Sequence, residues 1–286
     1  MLLNVLNALR ALMKKSLALT LAAALLAGLT GFIDNLSAAR RYPEVSKQNI
    51  VGFGAWNRSQ DVTTDGEHYY FSARTGLIKT LADGVTETAM NLNAIPRALK
   101  ETYGSAHIGG ISYHNGRIYA AIEDSKVWKY PIVALFDAET LAYTGEYHIL
   151  DASLQKNGLP WIAVDADRGL IYCAQRDNAP ALVAYSLETF ELVKTVELSE
   201  PVHKIQGAEV YNGVLYAATN NDTQAVYAVD VLTGGTRKLF DRNLTKGSEG
   251  EGLTVLPTAD GALIHTLDLG PLFINAYFRH YALPAD

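Results

Sequence analysis

Ile205-Gln206-Gly207-Ala208-Glu209-Val210-Tyr211-Asn212-Gly213-Val214-Leu215-Tyr216-Ala217-Ala218 reads as a polar lead-in, an apolar strand, an Asn-Gly turn and a second apolar strand. Asn-Gly between apolar runs is a strong hairpin signal, because both residues tolerate positive φ. Downstream, Val226-Tyr227-Ala228-Val229-Asp230-Val231-Leu232-Thr233-Gly234 reads as a third strand ending in an Asp-x-x-Thr turn. The same order recurs along the chain. Tyr113-His114-Asn115-Gly116-Arg117-Ile118-Tyr119 repeats the hairpin, while Asp65-Gly66, Asp167-Arg168-Gly169 and Asp260-Gly261 occupy the turn position elsewhere. Residues 133–140 and 182–189 repeat the third strand, and residues 191–196 alternate as a half-buried fourth strand should.

Five lead-ins open these units: Ser59-Gln60-Asp61-Val62, His107-Ile108-Gly109-Gly110-Ile111, Pro160-Trp161-Ile162-Ala163-Val164, Gln206-Gly207-Ala208-Glu209-Val210 and Glu249-Gly250-Glu251-Gly252-Leu253. They recur at roughly 45 to 55 residues, the period of a propeller blade. A single unit buries only one face of its sheet, so the units must pack around a shared axis. The expected fold is all-β, a five-bladed β-propeller. The last unit lacks a fourth strand. Residues 49–56, which have no partner of their own, are expected to pair with residues 275–281, closing the ring and removing an exposed edge. Ile95, Leu99 and Tyr103 recur at spacing four, so residues 91–106 read as a helical insertion between blades.

The N-terminal region is of another kind. Arg10, Lys14 and Lys15 precede an apolar run from Leu17 to Leu29 that continues to Ile33, and Ser37-Ala38-Ala39 supplies small residues for cleavage. Residues 1–39 therefore read as a hydrophobic helix serving as signal peptide or signal anchor, and residues 40–286 as a single propeller domain. The expected location is extracytoplasmic: periplasmic, secreted or anchored in the membrane. The net charge of −6 is mild and dispersed, and nothing in it suggests a nucleic-acid footprint, so no nucleic-acid partner is expected. Cys173 stands alone in the chain and reads as a buried small hydrophobe. No Gly-x-Ser-x-Gly, His-Glu-x-x-His or Cys-x-x-Cys pattern occurs, which removes the commonest hydrolase, zincin and redox readings.

The order of lead-ins, and above all residues 205–218 followed by 226–234, resembles the five-bladed glutaminyl-peptide cyclotransferases of the plant and bacterial type. Looser similarity reaches the gluconolactonase-like and YncE-like secreted propellers. Gln60, Trp161 and Glu209 stand where the cyclotransferases carry the Gln, Trp and second acid of their own lead-ins. Gly109 replaces one of that family's acids, and Ala218-Thr219-Asn220 replaces its Asn-Val-Trp. Cyclising an N-terminal glutamine needs an acid/base group and donors for the amide, so the resemblance implies the fold more fully than the activity.

Inner strands of a propeller line its central channel, and their starts converge on one mouth. By that geometry Asp61, His107, Trp161, Gln206, Glu209 and Glu251 are expected to face one another across a funnel and form the ligand-binding set. No organic cofactor is expected. Glu209, Glu249 and Glu251 are chemically suited to a hard cation such as Ca2+, without EF-hand spacing to support it. Two readings stand. One is a non-catalytic propeller binding a small polar ligand or peptide at the axial funnel; the other is an enzyme using the same funnel, cyclotransferase-like or a metal-assisted hydrolase or lactonase.

Overall fold

Asn115-Gly116 and Asn212-Gly213 take positive φ at both positions, 47° and 74° in the first pair, 50° and 76° in the second. That geometry matches the twist of the flanking strands and sets His114 opposite Arg117 and Tyr211 opposite Val214. A second local device follows the third strands. The carboxylates of Asp137 and Asp230 accept the N–H groups of Thr140 and Thr233, and Ser186 Oγ accepts that of Thr189. Leu141, Phe190 and Gly234 then close each turn in the left-handed region.

The structure, a computed structural model, describes residues 2–124 and 127–284. The chain begins with α1 (Leu2–Arg41), β1 (Glu44–Val51) and the single turn α2 (Phe53–Trp56). Blade 1 comprises β2 (Val62–Thr64), β3 (His68–Ser72), β4 (Leu77–Leu81) and β5 (Glu87–Asn91). After α3 (Arg97–Tyr103), blade 2 comprises β6 (His107–His114), β7 (Arg117–Glu123), β8 (Ile132–Asp137) and β9 (Tyr143–Ile149). Blade 3 is β10 (Ala163–Asp165), β11 (Leu170–Cys173), β12 (Ala179–Ser186) and β13 (Leu192–Val202). Blade 4 is β14 (Ile205–Tyr211), β15 (Val214–Thr219), β16 (Ala225–Asp230) and β17 (Thr236–Asp241). Blade 5 runs β18 (Glu249–Thr258), β19 (Gly261–Leu269) and β20 (Asn275–Leu283), with β1 as its outer strand.

The first strands of the blades touch in the order β2, β6, β10, β14, β18 and back to β2. They form a closed ring about one axis, which makes the molecule an all-β, five-bladed propeller. The hydrophobic core is divided accordingly into five clusters, one at each blade interface. Ile108 and Phe136 pack against Tyr70 and Leu77 between blades 1 and 2, and Phe278 and Leu267 against Phe71 and Ile78 between blades 5 and 1. Cys173 is buried in the cluster between blades 2 and 3, and burial pushes its thiol pKa up. Ile95 and Leu99, on the insertion around α3, are buried in the first cluster, and Gly104 ends the helix at φ 71°.

β1 lies antiparallel along β20, with Ile50 opposite Ala276 and Asn49 opposite Tyr277. The strand starts earlier than residue 49 and stops at Val51. Gly52 takes φ 62° and donates its N–H to Ile274 O, so residues 53–56 form a helical turn rather than a continuation of the strand. At the end of α1, Tyr42 packs on Phe240 with ring centroids 5.6 Å apart. Farther back, Leu17, Leu19, Leu21, Leu25 and Leu26 are exposed. Among the described residues, no helix is long and apolar enough to cross a membrane.

A chain beginning at residue 38 is expected to melt within a few degrees of the full chain. A chain beginning at residue 52 bares the β20 edge and removes Ile50 from the Phe278 cluster, so it is expected to melt roughly 10 °C lower or to aggregate. Calorimetry of the two truncations checks this, and equal melting temperatures would contradict it.

Candidate functional site

Five inner strands meeting on one axis bring backbone amides together where side chains have no room. Asp61, immediately before β2, fills that space. Its Oδ2 accepts the N–H of Ile111 at 2.8 Å and its Oδ1 that of Leu253 at 3.0 Å, tying blades 2 and 5 to blade 1. A Cβ on Gly207 or Gly252 would collide with the Asp61 carboxylate, and one on Gly110 would meet both Asp61 and Trp161. These close approaches explain the glycines of the lead-ins. Ser72 extends the tie by donating to Gly109 O at 2.7 Å while accepting the Asp61 N–H at 3.0 Å. Burial raises the Asp61 pKa well above the usual carboxylate value, against the pull of the Ile111, Val62 and Leu253 amides.

Farther along the channel, Glu209 Oε2 accepts hydrogen bonds from Thr254 Oγ1 at 2.9 Å and Thr63 Oγ1 at 3.4 Å. Its side chain is half-buried among the inner strands β2, β14 and β18. Desolvation pushes its pKa up to about 7, and the two threonine hydroxyls hold it from going higher.

At the other end of Asp61 the channel opens into a cavity of about 290 Å³ lined by side chains from all five blades. Blade 1 contributes Gln60 and Arg74, and blade 2 contributes His107, Glu123 and Trp128. Arg176 follows the second strand of blade 3, Gln206 opens blade 4, and Glu249 and Glu251 open blade 5. His107 is held on both sides, its Nδ1 3.1 Å from Glu123 Oε1 and its Nε2 2.6 Å from Gln60 Oε1. Glu123 also accepts the Leu159 N–H at 2.8 Å, which locks the pair. Asp124 accepts the amides of Val127, Trp128 and Lys129 and so fixes the loop that carries Trp128. Glu251 is buried and lies 3.4 Å from Gln206 Nε2; burial first, and then the neighbouring Glu249, raise its pKa well above the usual range.

The six residues expected to share the mouth are therefore divided by depth. His107, Gln206 and Glu251 line the cavity together. Asp61 lies beneath it, consumed by backbone amides, and Glu209 lies deeper still among threonines. Trp161 does not face the funnel at all. It is fully buried in the core between blades 3 and 4, because its backbone abuts Gly110 and its ring turns away between the blades. The acidic trio is split in the same way, and among the described residues no group of three or more His, Cys, Asp or Glu is arranged to hold a metal. Arg74 and Arg176 escaped the sequence reading. Second strands run antiparallel to inner strands, so the residues just after Ser72 and Cys173 return to the mouth where inner strands begin.

The two deeper acids should respond in opposite ways to removal. Asp61→Ala leaves the buried amides of Ile111 and Leu253 without an acceptor, and is expected to cost several kcal/mol, on the order of 1–3 for each orphaned group. Glu209 has a folded pKa above its unfolded one, so its contribution to stability is present below pH about 4.5 and is lost as the pH rises through about 7. Glu209→Gln should therefore match the wild type near pH 4.5 and exceed it near pH 8, by on the order of 1–3 kcal/mol. Denaturant melts of both variants at the two pH values check these outcomes, and a Glu209→Gln difference independent of pH would contradict the second.

No family model and no curated protein matches this chain. Among solved structures it is similar to hydrazine synthase of Kuenenia stuttgartiensis, at 13% identity and TM-score 0.44, over 75% of this chain and 57% of that one. It is also similar to the computationally designed Ika8 protein, at 10% identity and TM-score 0.38 over 76% and 57%. A chain of the mitotic checkpoint complex matches at 8% identity and TM-score 0.43 over 78% and 61%. This chain thus spans less than two thirds of the length of each, and the likeness is one of fold alone.

Proposed function

We propose that this protein is a non-catalytic, extracytoplasmic propeller that binds a small polar ligand or peptide at the mouth of its axial channel. The observation that carries the reading is the cavity of about 290 Å³, at the lower end of ligand-pocket sizes, to which every blade contributes a lining residue. His107, Gln206 and Glu251 contact the ligand in this reading, and Asp61, Glu209 and Trp161 hold the scaffold beneath it.

Three features favour binding over the cyclotransferase-like catalysis that the sequence resemblance implies. Both ring nitrogens of His107 already face oxygen acceptors, so no free lone pair is offered to a substrate. The aromatic matched to that family, Trp161, is buried away from the cavity. At Gly109, where the family has an acid, a Cβ would stand 2.6 Å from Pro160 O, so no side chain fits without a backbone shift. The same reading takes β1 as the strand that closes the ring and residues 1–39 as an export signal or membrane anchor, supported by the exposed leucines of α1.

A thermal-shift screen against cations, sugar lactones and Gln-initiated peptides tests the mouth. At least one polar compound is expected to stabilise the protein, by about 2.7 kcal/mol at a hundredfold excess over Kd, and Gln206→Ala should abolish the shift. Ammonia released from a Gln-initiated peptide would instead establish catalysis, and no shift with any compound would defeat the binding reading. For export, mass spectrometry is expected to find the chain either cleaved near residue 39 or intact in a membrane fraction. An intact chain in the soluble cytoplasmic fraction would sink that part of the proposal.

A further inference from the structure

Charges of both signs meet at the mouth without neutralising each other. Arg74 on blade 1 and Arg176 on blade 3 both line the cavity, and among the described residues neither side chain has a hydrogen-bond or ion-pair partner. Pairing is the habit of this propeller elsewhere. Arg58 pairs with Glu87, Arg117 with Glu146, Arg168 with Asp165, and both Arg242 and Arg279 with Asp268. Two unpaired guanidinium groups on one small cavity are therefore a departure that a bound anion would explain. A planar carboxylate matches the guanidinium fork.

Blade 5 brings the opposite sign. Glu249 and Glu251, two residues apart on β18, line the cavity together, and Gln206 Nε2 reaches Glu251 at 3.4 Å. Arg242, the buried cation whose charge reaches Glu251, spends its hydrogen bonds on Asp268, Thr219 O and Gln224 O, so it donates none to the two acids. A dianion such as phosphate would add negative charge beside this pair, and a simple cation would be repelled by the two arginines. A molecule with a carboxylate at one end and an ammonium at the other satisfies both walls.

We infer that the mouth selects a compact zwitterion of amino-acid or dipeptide size, its carboxylate held by Arg74 and Arg176 and its ammonium by Glu249 and Glu251. This inference rests on the reading of the mouth as a binding site. The cavity of about 290 Å³ accommodates a ligand of that size class.

Calorimetric titration of the full chain with the twenty amino acids, a set of dipeptides, their C-amidated and N-acetylated forms, and inorganic phosphate tests it. At least one free zwitterion is expected to bind, with amino acids and dipeptides distinguished by which set does so. Amidating its carboxylate should weaken binding at least tenfold. Arg74→Gln and Arg176→Gln should each weaken the free acid comparably while leaving the amidated form unchanged, and acetylation of the amine should mimic Glu249→Gln in the same way. Thermal melts of the variants confirm folding, and Arg74 is exposed enough for its loss to be tolerated. Tighter binding of phosphate or of an amidated form, or affinity indifferent to both arginines, would overturn this inference while leaving the mouth a binding site. No binding here and none in the broader thermal screen would overturn both.

Discussion

The carboxylate of Asp61 is the constraint on which the rest of the molecule depends. Five inner strands drawn to one axis leave backbone N–H groups facing a space so narrow that a Cβ at Gly110, Gly207 or Gly252 would already clash. Asp61 supplies the acceptors, bonding Ile111 from blade 2 and Leu253 from blade 5. The glycines at 110, 207 and 252 follow from it, since any Cβ there would enter the volume that Asp61 or Trp161 occupies. The Asp61 carboxylate thereby forms the floor of the mouth, and side chains from all five blades wall the cavity above it.

Depth along the channel decides what an acid does. Asp61, Glu209 and Glu251 all have pKa values pushed up by burial, yet their surroundings differ. Asp61 is bound to amides and Glu209 to threonine hydroxyls, so both are satisfied by the fold itself. Glu251 shares its place with a second carboxyl and a glutamine at the edge of the cavity. Desolvating three acids costs stability that the five interblade clusters must offset. Charge left uncompensated at a mouth, rather than charge as such, marks a site where something else can bind.

Much of the fold is legible in the chain because its devices are local. Asn115-Gly116 and Asn212-Gly213 require positive φ at both positions, and the turns at Asp137, Ser186 and Asp230 close through bonds spanning only three or four residues. Alternation along strands such as residues 191–196 marks which face is buried. The boundary at Gly52 was less legible. Whether residues 53–56 extend a strand or turn into a helix depends on the tie between Gly52 and Ile274, more than two hundred residues away.

The candidate site divides along the same line. The sequence by itself determined that inner strands begin with polar residues at a common mouth, which suffices for His107, Gln206 and Glu251, because strand order and direction follow from the repeat. Only the tertiary structure decided that Asp61 and Glu209 lie below that mouth, that Trp161 turns into the core, and that Arg74 and Arg176 return to it from second strands. The reason is physical: a repeat specifies the direction in which each strand runs. The depth and orientation of a side chain in the channel are set by how closely five separate blades approach one axis, and no single blade contains that distance.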